Sequence, residues 1–238
     1  MSVPYPMPFV PPRAPRPLRV NTGAGALAAT FIVLAAVTDL VLTWSVWKAY
    51  QVVMDYLDGA ATVADLENAD RLTTVANLLQ LLLTLAAALA FLPWLYRARL
   101  NSEVLSPAEH RHKRGWVIGG WFCPILNFFF PQHIVTDIWR ASRPDAGQVT
   151  EIGRLPSSRL VTWWWLLLLI PTLLNRYVVS VQLPNILSPE DLRDALWLLT
   201  VDSVGRLASA VLILLIIKRV NEWQRAPRPE PVPPEPAG

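Results

Sequence analysis

The chain has 238 residues, 53% hydrophobic and 16% charged, with a mean hydropathy of +0.34. A soluble domain of this length carries about a quarter charged residues, so the composition excludes one. Its net charge of +3 and pI near 9.3 come without any basic-aromatic nucleic-acid motif, which points to anionic lipid headgroups and not to nucleic acid.

Residues 1–22 form a Pro-rich tail containing Pro4, Pro6, Pro8, Pro11, Pro12, Pro15 and Pro17, and residues 223–238 form another containing Pro227, Pro229, Pro231, Pro233, Pro234 and Pro236. Such tracts cannot build a core and favour extended polyproline II. Between them lies a membrane domain, residues 23–222. Its first apolar stretch, Gly23–Trp47, follows the tail and exceeds the usual length of a signal-peptide core. Trp44, Trp47 and Tyr50 mark its far end as an interfacial boundary, so it is expected to persist as a helix.

Next comes an acidic loop with Asp55, Asp58, Asp65, Glu67 and Asp70 against Lys48 and Arg71. The spacing of the last three acids predicts a helix start that runs into the second stretch, Leu72–Tyr96. The loop lacks the alternating acids of a calcium loop and reads as a solvated face. The third stretch, Gly115–Thr136, is interrupted by Gly119, Gly120, Pro124, Asn127 and Pro131. These residues free backbone groups that lipid cannot satisfy. The fourth stretch is Leu160–Asn175 and the fifth Ala195–Ile217; the fourth alone is short for ~30 Å of hydrocarbon at ~1.5 Å per residue.

If all five stretches cross, the Lys and Arg outside them divide ten to ten. If the interrupted third stretch does not cross, they divide sixteen to four, with only Lys48, Arg71, Arg176 and Arg193 on the outer side. The positive-inside rule selects the second arrangement. The expected fold is therefore all-α: a polytopic bundle of four transmembrane helices plus one broken re-entrant or interfacial segment, with both termini cytoplasmic at the cell membrane. A kinked fifth span is the competing reading.

Ionisable side chains inside hydrocarbon cost several kcal/mol unless paired or hydrated, which makes them candidates for function or for structure. Here they are Asp39 in the first span, and Asp202 and Arg206 in the last. Counting inward from the outer ends places all three in the outer half of the membrane, at the level of Asn77 and Gln80. Asp39, Asn77, Gln80, Asp202 and Arg206 are thus an expected intramembrane polar cluster. Asp202 stands four residues before Arg206, the favourable order for an intrahelical pair, with Asp39 as a second acid. A structural clamp and a proton or cation relay both remain open.

Arg97, Arg99, Arg140, Arg143 and Arg159, among many Trp, predict a lipid-facing basic girdle at headgroup level. Glu109, His110 and His112 sit in a basic linker, and His133 and Asp137 are spaced to share one helix face, with His133 expected to bond either a backbone carbonyl or Asp137. Two such ligands do not make a metal site. No nucleophile elbow or phosphate-cradling glycine run occurs. No catalytic residue, metal site or cofactor site is expected.

Phe91, Pro93, Trp94, Tyr96, Arg97, Arg99 and Asn101, then Gly115, Trp116, Gly119, Gly120, Trp121, Pro124 and Asn127, then Pro131, Asp137, Trp139, Arg140 and Ser142 form an ordered set of landmarks. Over about residues 72–220 this pattern resembles the actinobacterial membrane family catalogued as domain of unknown function 4328. The resemblance implies a multi-pass membrane protein and supplies no activity, cofactor or catalytic residue. The leading expectation is a non-enzymatic scaffold or accessory subunit that meets anionic lipid, or a cytoplasmic protein through its Pro-rich tails. Homo-oligomer formation is left open. The alternative is a small transporter or channel component using the Asp/Arg cluster.

Overall fold

The computed structural model describes residues 18, 19 and 21–226, so most of both Pro-rich tails lies outside the described residues. The order is α1 (Thr22–Leu57), α2 (Val63–Leu105), a four-residue helix α3 (Trp116–Gly119), α4 (Phe130–Ser142), α5 (Arg159–Tyr177) and α6 (Pro189–Arg225), with no strand among the described residues. Four helices are long and apolar enough to cross a membrane: α1, α2, α5 with its continuation to Asn185, and α6. Their outward faces carry Leu34, Val37, Val41, Leu78, Leu82, Leu85 and Leu89, all exposed. Water would penalise that surface, and hydrocarbon is its natural solvent.

Local chemistry sets the ends of these helices. At the start of α2, Thr62 Oγ1 accepts from the Asp65 N–H while the Asp65 carboxylate takes the Thr62 N–H, a reciprocal capping box. The acid cluster of the loop thus begins the helix that becomes the second span. Ser188 and Asp191 do the same for α6. Gly59, at φ +75°, turns the chain between α1 and α2, a backbone state that favours glycine. The short fourth stretch gains length because the chain beyond α5 continues through a π turn, Val178–Gln182, and a 3-10 turn, Leu183–Asn185. That makes 27 residues, ~40 Å at helical rise and ample for a span.

Helix α2 packs along α1, α1 against α6 and α6 along α5, whereas α2 and α5 do not pack along one another. At one end the broken segment fills the α2–α5 gap. Trp121 lies edge-on to Phe91 of α2 and to Trp165 of α5, with ring centroids 5.8 and 6.2 Å away. Gly120 is required beneath it, since a Cβ there would lie 2.9 Å from both Phe130 Cβ and the Trp116 carbonyl oxygen. The segment begins near the Glu103–Arg114 ion pair at the end of α2 and finishes where Ser142 accepts from Gln224 near the end of α6. It starts and ends at the same end of the bundle, the end that also holds Arg19.

Helices α5 and α6 approach closely at Gly205, where an added Cβ would lie 2.5 Å from Pro171 Cγ. Proline cannot swing away, so the helices must separate. Gly205→Ala is expected to lower stability by ~1–3 kcal/mol, read as a fall in Tm of detergent-purified protein. Gly115→Ala has nothing within 4 Å and a helical φ of −59°, so it should leave Tm nearly unchanged. Equal shifts for the two would show that the packing at Pro171 does not limit stability.

Candidate functional site

Every one of the four long helices sends a polar side chain to one level of the bundle. Arg206 of α6 is ion-paired with Asp202 one turn earlier on the same helix, and its Nη2 lies 3.1 Å from Asp39 Oδ1 of α1. Ser203 Oγ donates to Asp39 Oδ2 at 2.5 Å, and Gln80 Nε2 of α2 donates to Asp39 Oδ1 at 3.3 Å. Thr38 Oγ1 in turn donates to Gln80 Oε1 at 2.5 Å, and Asn175 Nδ2, at the end of α5, donates to Asp202 Oδ2 at 3.3 Å. Asp39 and Asp202 are buried, while the Arg206 side chain keeps about a third of its surface exposed.

Most of the expected cluster is brought together here, and Asn77 is not. It is exposed on α2, while Gln80, three residues on, is the residue turned inward. Thr38 and Ser203 are participants that composition did not single out. Their signal was only adjacency, each beside an intramembrane acid.

Asp39, Gln80 and Arg206 also line one end of a cavity of about 200 Å³. Its walls are mostly alanine and apolar side chains of α1, α2 and α6, and Phe91, Trp121 and Trp164 close the other end. It lies in the gap between α2 and α5 that the broken segment leaves uncovered.

The second constellation is a polar platform at the Trp121 end. Asn101 accepts from the Arg19 N–H at 2.8 Å, and its Nδ2 donates to the Arg19 carbonyl at 2.9 Å and to Gln224 Oε1 at 3.0 Å. Gln224 Nε2 donates to the Ala98 carbonyl and to Ser142 Oγ, both at 2.9 Å. This buried knot joins the chain entering α1, the end of α2, the end of α4 and the end of α6. Around it Trp94 Nε1 donates to Asn221 Oδ1 at 3.0 Å, Asn21 Nδ2 donates to the Trp94 carbonyl, and Trp139 meets Trp223 edge-on.

Two expectations are corrected here. Arg99 is not part of a lipid-facing girdle: it is 4% exposed, pairs with Glu103 at 2.9 Å and donates through Nη2 to the His112 carbonyl. It sits on the inward stripe of α2 and pins the following loop, whereas Arg97, two residues earlier, is exposed. Likewise Asp137 is not the partner of His133. It is fully buried and takes Arg111 through Nε and Nη2 at 2.9 and 2.7 Å, plus the Arg111 N–H at 3.0 Å. A carboxylate out of water is better served by a permanent cation with a forked donor set than by an imidazole.

His133 Nδ1 instead lies 3.4 Å from His112 Nε2, in a stack that Phe130 extends. Burial lowers the pKa of both imidazoles, and the contact needs at least one neutral ring. Among the described residues, no group of three or more His, Cys, Asp or Glu could hold a metal ion.

The remaining landmarks of the motif are structural in placement. Trp116 packs edge-on to Phe130, Gly119 lies under Trp116, and buried Pro131 starts α4. The Asn127 N–H bonds the Cys123 carbonyl at 2.8 Å, within the turns that carry exposed Pro124. Arg140 is half-buried, Arg143 pairs with Asp145 at 2.9 Å, and Arg159 is exposed.

A family model described as Domain of unknown function (DUF4328) matches residues 57–222, well over half of the chain. The chain belongs to this family. No curated protein and no solved structure matches it. The DUF4328 match runs from the last residue of α1 through α2 and the platform into α6, so Asp39 precedes it while Gln80, Asp202 and Arg206 lie inside it.

In this DUF4328 protein the platform also carries a pH-sensitive side chain, the imidazole of His110. His110 Nε2 lies 2.9 Å from Ser102 Oγ, whose own hydrogen goes to the Arg99 carbonyl, so the imidazole must donate there. Burial first, and then the Arg99 charge, hold His110 at about 4, against an ordinary 6.5. The unfolded loop therefore takes up a proton before the folded one does. Stability present above about 6.5 is lost as the pH falls from there towards about 4. Amide exchange over residues 106–115, corrected for its intrinsic pH dependence, is expected to accelerate across that window and to do so less steeply in His110→Gln, where the lowered His112 and His133 remain. No change in protection across the window would remove His110 as the cause.

Proposed function

We propose that the chain is a non-enzymatic accessory or scaffold subunit of the cell membrane, in which four spans hold a rigid basic platform, with the chain ends, on the cytoplasmic side. The observation that carries this reading is the buried knot at Asn101, which fastens four chain segments at one end of the bundle. Such a knot holds a surface in a fixed shape, which a passive linker between spans does not need. Arg97, Lys113, Arg159, Lys218 and Arg225 have no ion-pair partner among the described residues and form, with the girdle of Trp, a face suited to anionic lipid or to an acidic partner. The sixteen-to-four division of cations supports a cytoplasmic setting for this end, with the broken segment re-entrant or interfacial. The Pro-rich tails act in this reading as docking strips for a cytoplasmic protein.

Reporters fused to the two termini are expected to lie in the same, cytoplasmic, compartment; different compartments would overturn the topology. Crosslinking in native membranes is expected to give a protein adduct that disappears when residues 227–238 or 1–17 are deleted. Adducts indifferent to both deletions would overturn the scaffold role.

A second reading, a small transporter or channel component, is favoured by the access of Asp39 and Arg206 to the intramembrane cavity. It predicts proton- or ion-dependent flux in liposomes that Asp39→Asn abolishes without loss of assembly.

A further inference from the structure

Hydroxyl and amide side chains inside a span need partners that hydrocarbon does not supply. Within the apolar runs of the four long helices, most of the Ser, Thr, Asn and Gln side chains have one. The hydroxyls of α1 and α5, and Thr200 of α6, donate to a carbonyl one turn back on their own chain. Gln80, Asn175 and Ser203 serve the two acids, while Thr73 and Ser209 reach carbonyls of a neighbouring helix. Among the described residues of these runs, Thr74, Asn77 and Thr84 are the exceptions, exposed and without a side-chain hydrogen bond. All three are on α2.

They also share one face. Thr74, Asn77, Leu81, Thr84 and Ala88 follow one another at alternating steps of three and four residues, the seam along which two helices pair at a shallow angle. The adjacent stripe round α2 has the same spacing and is also exposed, but Val75, Leu78, Leu82, Leu85 and Leu89 make it wholly aliphatic. That stripe suits lipid. The first carries two hydroxyls, an amide and a small residue, the composition with which spans meet other spans. Thr84 and Ala88 place it beside the gap between α2 and α5, where α5 does not pack along α2 to cover it.

Depth and chemistry together choose the occupant. Counted from Leu72, Asn77 lies ~8 Å and Thr84 ~18 Å into the apolar run. An amide there has a donor and an acceptor to satisfy at once, which neither a lipid chain nor an apolar helix can do. A second copy of the chain, inserted the same way and related by a two-fold axis along the membrane normal, presents its own Asn77 at the same depth. Each Nδ2 then donates to the other Oδ1, and Thr74 and Thr84 likewise meet their counterparts, so one sequence matches every level of the seam. Ala88 lets the two backbones approach. Beyond the apolar run the stripe continues through Asp70 and Glu67, where like charges face each other in water and salt screens them; close contact therefore starts at Thr74.

We propose that the chain forms a two-fold homodimer in the membrane through this stripe of α2, with Asn77 paired to Asn77 of the second copy across the axis. The proposal goes beyond the scaffold reading and does not depend on it. It needs only that α2 spans and that both copies insert alike, whichever face is cytoplasmic.

The test is disulfide crosslinking of the full-length chain in the membranes of expressing cells, with copper phenanthroline as oxidant and Cys123→Ser removing the native thiol. Leu81→Cys and Ala88→Cys are expected to give a covalent dimer, and Leu78→Cys and Leu82→Cys are not. When two differently tagged copies are expressed together, the adduct should carry both tags. A second measurement keeps the native thiol: energy transfer between fluorescent-protein fusions of the purified chain, followed on dilution in detergent. Asn77→Leu, which removes the amide from an exposed position, should weaken the dimer by roughly three- to thirtyfold, and Val75→Leu should leave it unchanged. Equal crosslinking on the two stripes would mean random encounter and overturn the proposal, as would no crosslink at Leu81 and Ala88. An adduct with only one tag would show that a different protein covers the stripe. Unchanged dimer affinity in Asn77→Leu would also overturn the pairing.

Discussion

Arg206→Leu is expected to be the most damaging single substitution in the bundle, lowering stability by ~3–5 kcal/mol. Two buried carboxylates, Asp39 and Asp202, would lose their shared cation while remaining in a region without water. Against a typical total of ~5–15 kcal/mol, that is enough to remove most of the folded protein at growth temperature. The expected readout is loss of the monodisperse peak in detergent, with the residual protein unfolding at a much lower temperature. Asp39→Asn should be milder, because an amide oxygen can still accept from Ser203 or Gln80. The triple variant Asp39→Asn, Asp202→Asn, Arg206→Leu should recover much of the loss. The damage comes from stranded charge, and uncharged groups of similar volume are tolerated where a broken ion pair is not. A triple variant as unstable as Arg206→Leu would show that the cation contributes by packing and not by pairing.

This set was largely legible because hydropathy isolates it: three charges inside long apolar runs have few partners but each other, and four-residue spacing puts Asp202 and Arg206 on one face. Asn77 and Gln80 show the limit. Both are amides within one turn of α2, at nearly the same depth, and only the packing angle of α2 on α1 decides that Gln80 faces Asp39 and Asn77 faces outward. Depth can be counted along a chain, whereas azimuth depends on a neighbour's surface.

Arg97 and Arg99 pose the same problem at the helix end. Charge count treats them alike, and a rotation of two residues separates an exposed cation from one sealed against Glu103. The long-range pair Arg111–Asp137 had no local spacing to reveal it, since the loop that carries Arg111 folds back over α4. The reach of α5 was hidden for a different reason: Arg176 and Gln182 interrupt its hydropathy, yet the helix continues through the π turn.

Asn101→Ala is the substitution expected to separate the platform from the spans. The side chain satisfies three groups at once: the N–H and carbonyl of Arg19, and Gln224 Oε1. All would be left in a pocket where Asn101 itself is 2% exposed. Each stranded group costs ~1–3 kcal/mol unless water reaches it, so a loss of ~2–5 kcal/mol is expected. The effect should be local: faster amide exchange over residues 98–105 and 137–142, with the middles of α1 and α6 still protected. Gln224→Ala breaks the same knot from the other side, removing its bonds to Ala98 and Ser142. The double variant should therefore cost clearly less than the sum of the two singles, the non-additivity of a shared network. Arg97→Ala, four residues earlier and exposed, should shift stability by less than ~0.5 kcal/mol. If Asn101→Ala behaves like Arg97→Ala, the knot does not hold the platform, and a surface kept in fixed shape for partners loses its physical basis.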